Sequence, residues 1–146
     1  MAQTGQLVDP YRNFNFLVQI DGITQAGFSE CSGLSSTTEV VEYREGGDNT
    51  TVHKLPGKTA YGDITLKWGV TDNLDLWNWR QQIIDGQVVR KHGTLILFDF
   101  DASTERARWN FIRAWPTKCE LPSFSAKGNE VAIETLTLAH EGLTRA

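Results

Sequence analysis

Strict alternation of apolar and polar residues is the feature that most constrains this chain. Between residues 12 and 21, Phe14, Phe16, Val18 and Ile20 occupy every second position, and the polar Asn15 falls between them. Successive side chains of a β-strand point to opposite faces of a sheet. The pattern therefore predicts a strand with one face covered by a core and the other exposed to water.

The same period of two recurs from residue 64 to residue 70 and predicts a second long amphipathic strand. We expect its apolar positions, Ile64, Leu66, Trp68 and Val70, to point into the core. Its polar positions, Asp63, Thr65 and Lys67, then fall on the opposite face.

Turn-forming residues divide the rest of the chain into short segments of β-prone sequence. Asp21-Gly22 predicts a hairpin turn, and Pro56-Gly57 predicts a further turn. The predicted turns and loops are residues 29–33, 46–49 and 101–104, and a long connection covers residues 116–129. The other predicted strands are residues 23–28, 37–45, 50–55, 94–100, 106–115 and 130–140.

One segment has the spacing of a helix. Residues 74–84 place Leu74, Trp77 and Ile84 on a broad apolar stripe, with Leu76 and Ile83 nearby. Asn73 precedes the stripe as a cap, and Gly86 follows it as a stop. We therefore predict a single helix, with this stripe turned toward the sheet.

Together these segments predict a mainly β fold of two packed antiparallel sheets, a sandwich or small barrel, with one α-helix. The 146 residues suit a single domain spanning 1–146. Hydrophobic residues make up 40% of the chain and charged residues 22%, which is typical of a globular protein with a substantial core.

The charge of the chain argues against general nucleic-acid binding. The net charge is −4, and lysine and arginine form no cluster. We expect no secretory signal, because the first residues lack a basic region followed by an apolar stretch. No apolar run is long enough to predict a membrane segment. Cys31 and Cys119 are expected to be reduced thiols.

The sequence offers few groups for catalysis. His53, His92 and His140 have no partner at metal-ligand spacing, and the cysteines form no Cys-x-x-Cys pair. Adjacent residues of a helix point about 100° apart, so Trp77 and Trp79 do not share one side, and we interpret them as packing residues rather than a sugar-binding platform. We therefore predict no catalytic, cofactor-binding or metal site, and no enzyme activity.

Several segments, in order along nearly the whole chain, carry a resemblance to a known family. The sequence resembles the phage tail tube proteins, the family of the T4 phage tube that is shared with contractile injection systems. The segments are DPYRNFNF at residues 9–16, GFSECSGL at 27–34, VEYREGGDN at 41–49, KLPG at 54–57, ITLKWGV at 64–70, RWNF at 108–111, AWP at 114–116 and GNEVAIETL at 128–136.

The resemblance implies a structural role. In the family, six copies join their sheets edge to edge into a ring, and rings stack into an inner tube inside a contractile sheath. The implied partners are further copies of the chain, the sheath protein, baseplate or spike proteins, terminator proteins and a cargo in the lumen. The implied place of assembly is the bacterial cytoplasm, within a phage tail or a phage-tail-like particle.

A glycine-containing segment between two strands is predicted to be an assembly arm that reaches a neighbouring subunit. It has backbone freedom and β-prone residues but few large apolar ones, so ordering it requires a partner. The resemblance implies an extended loop here that contacts adjacent subunits; the alternative is a mobile solvent loop. The arm comprises Glu45, Gly46, Gly47, Asp48, Asn49, Thr50, Thr51, Val52, His53, Lys54, Leu55 and Pro56.

A polar strand face is expected to line the channel of the tube, because the apolar side must turn away from water. Asp63, Thr65 and Lys67 are the first candidates, and Glu42 and Arg44 are a weaker pair. The alternative places these residues on the outer surface or at a subunit boundary.

Two other functions remain open at this stage. The chain could be a tube-initiating or baseplate-adaptor ring protein of the same particle, although its uninterrupted length favours the main tube subunit. In a different class, it could be a monomeric β-sandwich that binds a ligand, which size-exclusion chromatography would distinguish from a ring.

Overall fold

The structure is a computed structural model that describes residues 15–24, 27–47, 50–101, 103–128 and 131–146. These ranges contain nine strands and one helix, which confirms the predicted fold class. In chain order they are β1 (Phe16–Ile20), β2 (Phe28–Ser32), β3 (Ser36–Tyr43), β4 (His53–Tyr61), β5 (Ile64–Gly69), α1 (Asp75–Ile84), β6 (Lys91–Phe98), β7 (Glu105–Glu120), β8 (Ile133–Ala139) and β9 (Gly142–Arg145).

Two antiparallel sheets share the long strand β7. We call the order β1-β6-β7-β9 sheet A and the order β7-β8-β5-β2 sheet B. β7 passes from one sheet to the other near Arg113, whose φ of 52° is left-handed. Its pairing with β6 shifts register there, between Phe111 and Ala114. Such an irregularity bends a strand, so one strand can serve both layers.

The core lies between the two sheets, on the face that the alternation predicts. Ile64 and Leu66 of β5 are 0% exposed, and Trp68 is 3% exposed. Val70 was expected on the same face, but this prediction was wrong: its side chain is 49% exposed. The strand ends at Gly69, so Val70 no longer follows the alternation of the sheet.

The other predicted amphipathic strand is also confirmed in its buried positions. Val18 and Ile20 of β1 are buried, and Phe16 packs against the core with part of its surface exposed. Phe14 lies outside the described residues. β1 pairs only with β6 among the described strands, so it forms an edge of sheet A.

The helix has the predicted place but a different buried face. Leu76, which was predicted near the stripe, is buried, and so is Trp79, as its interpretation as a packing residue requires. Leu74, Trp77 and Ile84 are exposed, so the interpretation of Trp77 as a packing residue was wrong. α1 packs against β7 through the Leu76 and Trp79 side. The indole nitrogen of Trp79 donates a hydrogen bond to the Val89 carbonyl at 2.7 Å, which satisfies its polar atom in the core.

The predicted stop at Gly86 is confirmed, whereas the N-cap is Leu74 rather than the predicted Asn73. Asn73 accepts a hydrogen bond from the Asp75 backbone nitrogen at 2.8 Å, just before the first helical turn. At the other end Gly86 has a φ of 88°, a left-handed conformation that glycine adopts without strain and that ends helices.

Several predicted turns are parts of strands. Residues 29–33 were predicted as a turn, yet β2 extends to Ser32 and pairs with β5. Of the predicted return strand at residues 23–28, Ile23 forms a bridge with Ile20, Gln25 and Ala26 lie outside the described residues, and Phe28 begins β2. Glutamate, which β2 contains at position 30, is depleted in strands, and pairing with β5 overrides that preference.

Two prolines that were predicted to lie in a turn and in a connection lie within strands. β4 runs through Pro56 and Gly57, and β7 runs through Pro116 to Glu120, where a long connection was expected. A proline is tolerated in a strand where its missing N–H has no ladder partner. β9 is a further strand that the sequence pattern did not predict.

Candidate assembly site

β3 and β4 form a separate hairpin that stands away from the two sheets. Among the described strands they pair only with each other, and the Gly62 backbone nitrogen closes their base by donating to the Ser35 carbonyl at 3.0 Å. Every described residue from 36 to 60 is exposed except Val52, which is half-buried. We call residues 36–61 the hairpin.

The two faces of the hairpin differ in polarity. Val41 pairs with Leu55 and Tyr43 pairs with His53, which places them on one face. Val41 and Tyr43 are each 48% exposed and Leu55 is 50% exposed. We call Val41, Tyr43 and Leu55 the apolar hairpin face. The opposite face carries Val40 and Pro56, and also the charged Glu42 and Lys54.

The predicted assembly arm covers one part of this hairpin. Residues 45–47 and 50–52 connect the strands, and the segment from His53 to Pro56 is the first half of β4. Asp48 and Asn49 lie outside the described residues. The hairpin is longer than the predicted arm, because it includes all of β3 and β4 continues to Tyr61. The extent was missed because Pro56-Gly57 reads as a turn in the sequence.

Sheet B carries a continuous polar face across all four of its strands. Directly opposite residues of antiparallel strands share a face. One row consists of Glu30, Lys67, Thr135 and Glu120, and the next consists of Ser32, Thr65, Thr137 and Lys118. We call these eight residues the polar face.

The opposite face of the same sheet is apolar and buried. The row Cys31, Leu66, Leu136 and Cys119 lies between the two polar rows along the strands. Leu66 and Leu136 are 0% exposed. Burial raises the pKa of the Cys31 thiol to about 12, so it stays protonated at neutral pH. Sheet B is therefore amphipathic over its full width.

Charges on the polar face occur as neighbouring pairs of opposite sign. The Lys67 amine lies 3.2 Å from the Glu30 carboxylate, and the Lys118 amine lies 2.7 Å from that of Glu120. The hydrogen bond from Lys118 lowers the pKa of Glu120. All four side chains are about half exposed, and the face has no net charge from these pairs.

The predicted channel-lining residues fall on two different parts of the structure. Thr65 and Lys67 lie together on the polar face, and the exposed Asp63 immediately precedes their strand. Glu42 and Arg44 lie on or beside the last residues of β3, in the hairpin, and are also exposed. Sequence reasoning missed the other six members of the polar face. Four of them lie on β2 and the end of β7, which were predicted as turn and connection, and Thr135 and Thr137 lie on β8, whose strand was predicted but whose polar positions were not singled out.

Both outer edges of sheet B are open. β2 pairs only with β5, and residues 115–120 of β7 pair only with β8 among the described strands. Each edge therefore presents backbone N–H and C=O groups on its outer side. Such edges invite pairing with another chain unless something covers them.

A cleft of about 500 Å³ opens beside the β2 edge, between the two sheets. Its lining from sheet A is apolar, whereas β2 contributes mixed side chains. The residues around it are Phe16, Ser29, Glu30, Cys31, Leu95, Leu97 and Trp109.

The described residues bring together no group of three or more histidine, cysteine, aspartate or glutamate side chains that could hold a metal ion. Among the described residues, α1 is too short and too polar to cross a membrane, and no other helix occurs there.

Comparison with known proteins places this fold among tube proteins. Residues 12–144 match the family of the T4-like virus tail tube protein gp19. A chain in the extended sheath/tube terminator of an extracellular contractile injection system, PVC, is similar at 30% identity with a TM-score of 0.85. That match covers 97% of this chain and 99% of the other.

Two further solved structures extend the likeness. A chain in the extended PVC sheath-tube complex is 29% identical with a TM-score of 0.84, over 94% of this chain and 91% of that one. Hcp1 from Flavobacterium johnsoniae is 15% identical with a TM-score of 0.57, over 91% and 95%, and shares the fold alone. A comparison with curated protein sequences gave no match.

Proposed function

The chain belongs to the T4-like tail tube protein family and is a structural tube subunit, and from this premise we propose that it is the main subunit of an inner tube. Six copies form a ring, and rings stack into a hollow tube. The observation that carries this proposal is the whole-length similarity to PVC tube-complex chains, together with an amphipathic sheet whose two edges are open.

Ring closure joins the open edges of sheet B. The β2 edge of one copy pairs with the edge formed by residues 115–120 of the next copy, so each ring removes its own free edges. The apolar face of the sheet already packs on sheet A within each copy. The polar face is then the surface that meets water in the channel.

The polar face makes a channel wall of hydroxyl groups and paired charges. Thr65 and Lys67 line the channel, and Asp63 stands at its rim. Paired charges of opposite sign create a weaker long-range field than charges of a single sign. A charged cargo that passes through the lumen is therefore neither strongly held nor strongly repelled. Glu42 and Arg44 belong to the hairpin and do not line the channel.

The hairpin is the assembly arm. Its apolar face is uncovered within one copy, and burying apolar surface stabilises an association by roughly 25 cal/mol per Å² before the costs of binding are subtracted. A neighbouring subunit supplies the cover. The arm predicted from the sequence, residues 45–56, is then the distal part of the hairpin.

The remaining partners follow from the family. Structures with similar chains include a sheath–tube complex, a baseplate and a tube terminator. We assign this chain the same surroundings, with assembly in the bacterial cytoplasm as part of a phage tail or phage-tail-like particle. Its role is structural and not catalytic.

Deletion of residues 47–52, with the ends joined, tests this function. Wild-type protein should elute as rings by size-exclusion chromatography with light scattering, and negative-stain microscopy should show rings and tubes. The deletion variant should keep a cooperative thermal transition but lose tubes. Wild-type protein that remains monomeric at every concentration contradicts the proposal, and normal tubes from the deletion variant contradict the role of the arm.

A further inference from the structure

The two open edges of sheet B both carry charged side chains on the polar face. Glu30 is the one charged residue of β2, and Lys118 and Glu120 are the two charged residues between 115 and 120 on β7. The side chains of these three residues are 50%, 63% and 52% exposed. They are therefore accessible to a chain that pairs with either edge.

The directions of the strands permit the two edges to pair with each other. β2, β5, β8 and the end of β7 alternate in direction, so β2 and β7 run antiparallel on the two sides of sheet B. The β2 strand of one copy, placed beside the β7 strand of the next, therefore continues the antiparallel pattern. Each copy offers one edge of each kind, as a closed ring of identical copies requires.

The amphipathic character of sheet B restricts the register of this junction. A shift of one residue moves every side chain of a strand to the opposite face of the sheet. Such a shift would bring Glu30 to the apolar side of the neighbouring strand. Only shifts by an even number of residues keep the polar face continuous from one copy to the next.

Charge distinguishes between the registers that remain. Without a shift, the rows of the polar face continue straight, and Glu30 of one copy lies directly opposite Glu120 of the next. A shift of two residues in one direction places Glu30 opposite Lys118, and the same shift in the other direction places it beyond the last residue of β7. Directly paired residues of opposite charge stabilise a sheet, whereas like charges destabilise it. Charge therefore favours the register that pairs Glu30 with Lys118.

Barrel closure independently requires a shifted register. A sheet that closes into a barrel needs tilted strands and a stagger in their hydrogen-bond register. Rows that continued straight through every junction of a ring would provide no stagger. A shift of two residues at each junction provides it, and the charges select its direction.

We propose that an ion pair between Glu30 of one copy and Lys118 of the next sets the register of the ring junction. This inference rests on the proposed tube function and names the two side chains that match one edge with the other. Within each chain, Lys67 lies 3.2 Å from Glu30 and Lys118 lies 2.7 Å from Glu120. Across the junction the four charges then alternate in sign, in the order Lys67, Glu30, Lys118 and Glu120.

The same junction covers the cleft beside the β2 edge. That cleft carries Leu95, Leu97 and Trp109 from sheet A. A β7 strand that pairs with β2 crosses the opening of the cleft, and Cys119 is on the side that faces it, because Cys119 lies on the apolar face of sheet B. The junction therefore buries apolar surface behind the ion pair, which adds hydrophobic stabilisation to the matching of charges.

Charge reversals at the two positions test this pairing. Glu30→Lys and Lys118→Glu each place like charges across the proposed junction, whereas the double variant restores opposite charges with their positions exchanged. An alternating mixture of the two single variants also restores them, because each junction then joins two altered positions or two unaltered ones. Lys67→Glu is the matched control, because it makes the same charge change as Lys118→Glu on the same face but on β5, away from both edges.

Size-exclusion chromatography with light scattering measures the rings at low ionic strength, and circular dichroism checks the fold of each variant. Native mass spectrometry, with one single variant isotope-labelled, counts the two variants in each mixed ring. We expect wild-type protein, Lys67→Glu and the double variant to form rings, and each single variant to lose them. The mixture should form rings that contain equal numbers of the two single variants.

Rings from either single variant alone in the wild-type amount would overturn the ion pair. Loss of rings in Lys67→Glu would also overturn it, because the effect would then follow the charge of the whole face rather than its edges. A double variant or a mixture that fails to restore rings would exclude direct pairing of the two positions. All three results leave the tube function intact, whereas wild-type protein that forms no rings would contradict that function itself.

Discussion

Sheet B and the hairpin are built from the same kind of alternating strand, yet they bury their apolar residues to opposite extents. Leu66 and Leu136 in sheet B are 0% exposed. Val41 and Leu55 in the hairpin are 48% and 50% exposed although they face each other across paired strands. The difference lies in what covers each face, because sheet A and α1 cover one and no described residue of the same copy covers the other.

The contrast separates two uses of one sequence pattern. Apolar side chains that their own chain covers contribute to the free energy of folding. Exposed apolar side chains contribute little to the free energy of folding. They stabilise an assembly when a second molecule covers them. Substitutions in the two regions should therefore change different measurements, stability in sheet B and assembly in the hairpin.

Leu66→Ala should produce the largest effect on stability. Removing a fully buried leucine side chain loses transfer free energy and leaves a cavity, which costs about 2–5 kcal/mol. Leu55→Ala removes the same atoms from the hairpin and should leave the free energy of unfolding of the dissociated chain nearly unchanged. Urea unfolding measures both, and equal losses for the two variants would remove the distinction between the regions.

Gly93→Ala should have the next largest effect. A Cβ added at Gly93 would lie 2.1 Å from the Phe111 ring, which is 0% exposed. The ring must shift within a packed core, at a cost of about 1–3 kcal/mol. Gly46→Ala, in the connection of the hairpin, is the matched control because its added Cβ would meet no atom within 4 Å. A stable Gly93→Ala protein would mean that the core is looser than described.

Lys67→Ala should have a small effect on folding. The Lys67 and Glu30 side chains are 42% and 50% exposed, and ion pairs this exposed contribute about 0–1 kcal/mol. Thermal unfolding of the dissociated chain at low and high salt measures the loss. A destabilisation that reaches the Leu66→Ala value would show that the polar face takes part in the core rather than facing a channel.

The smallest expected effect is an acid-sensitive turn between β6 and β7. Backbone hydrogen bonds from Ser103 and Thr104 hold the pKa of Asp101 well below its usual range. A depressed carboxylate stabilises the fold above its unfolded pKa of about 3.9, and this contribution is lost as the pH falls below that value. Asp101→Asn should therefore flatten the decline in melting temperature below about pH 4.

Glu42→Gln, in the exposed hairpin, is the control for that measurement and should follow the wild-type acid profile. If Asp101→Asn and wild-type protein lose stability in parallel as the pH falls, the turn contributes nothing to acid sensitivity. If Glu42→Gln alone flattens the curve, the hairpin rather than the turn is the acid-sensitive element.

The amphipathic strands of the two sheets could be predicted from sequence because burial follows a period of two. Ile64, Leu66 and Trp68 all lie inside as predicted. The helix was also placed correctly, between Asn73 and Gly86. These features depend on local chemistry alone, which a single sequence contains.

The missed features depend on tertiary contacts. The helix has apolar residues on more than one side, so only the position of β7 decides that Leu76 and Trp79 are buried while Trp77 is exposed. β2 and the end of β7 are strands because β5 and β8 lie beside them. The polar face consequently could be predicted on β5 but not across the whole sheet.

An electron cryomicroscopy reconstruction of the assembled protein tests the central claim most directly, namely that other copies cover what a single copy leaves open. We predict a six-fold tube in which Thr65 and Lys67 face the channel and the apolar hairpin face is buried against a neighbouring subunit. A tube in which Thr65 and Lys67 point outward, or in which Val41 and Leu55 stay in solvent, would contradict it.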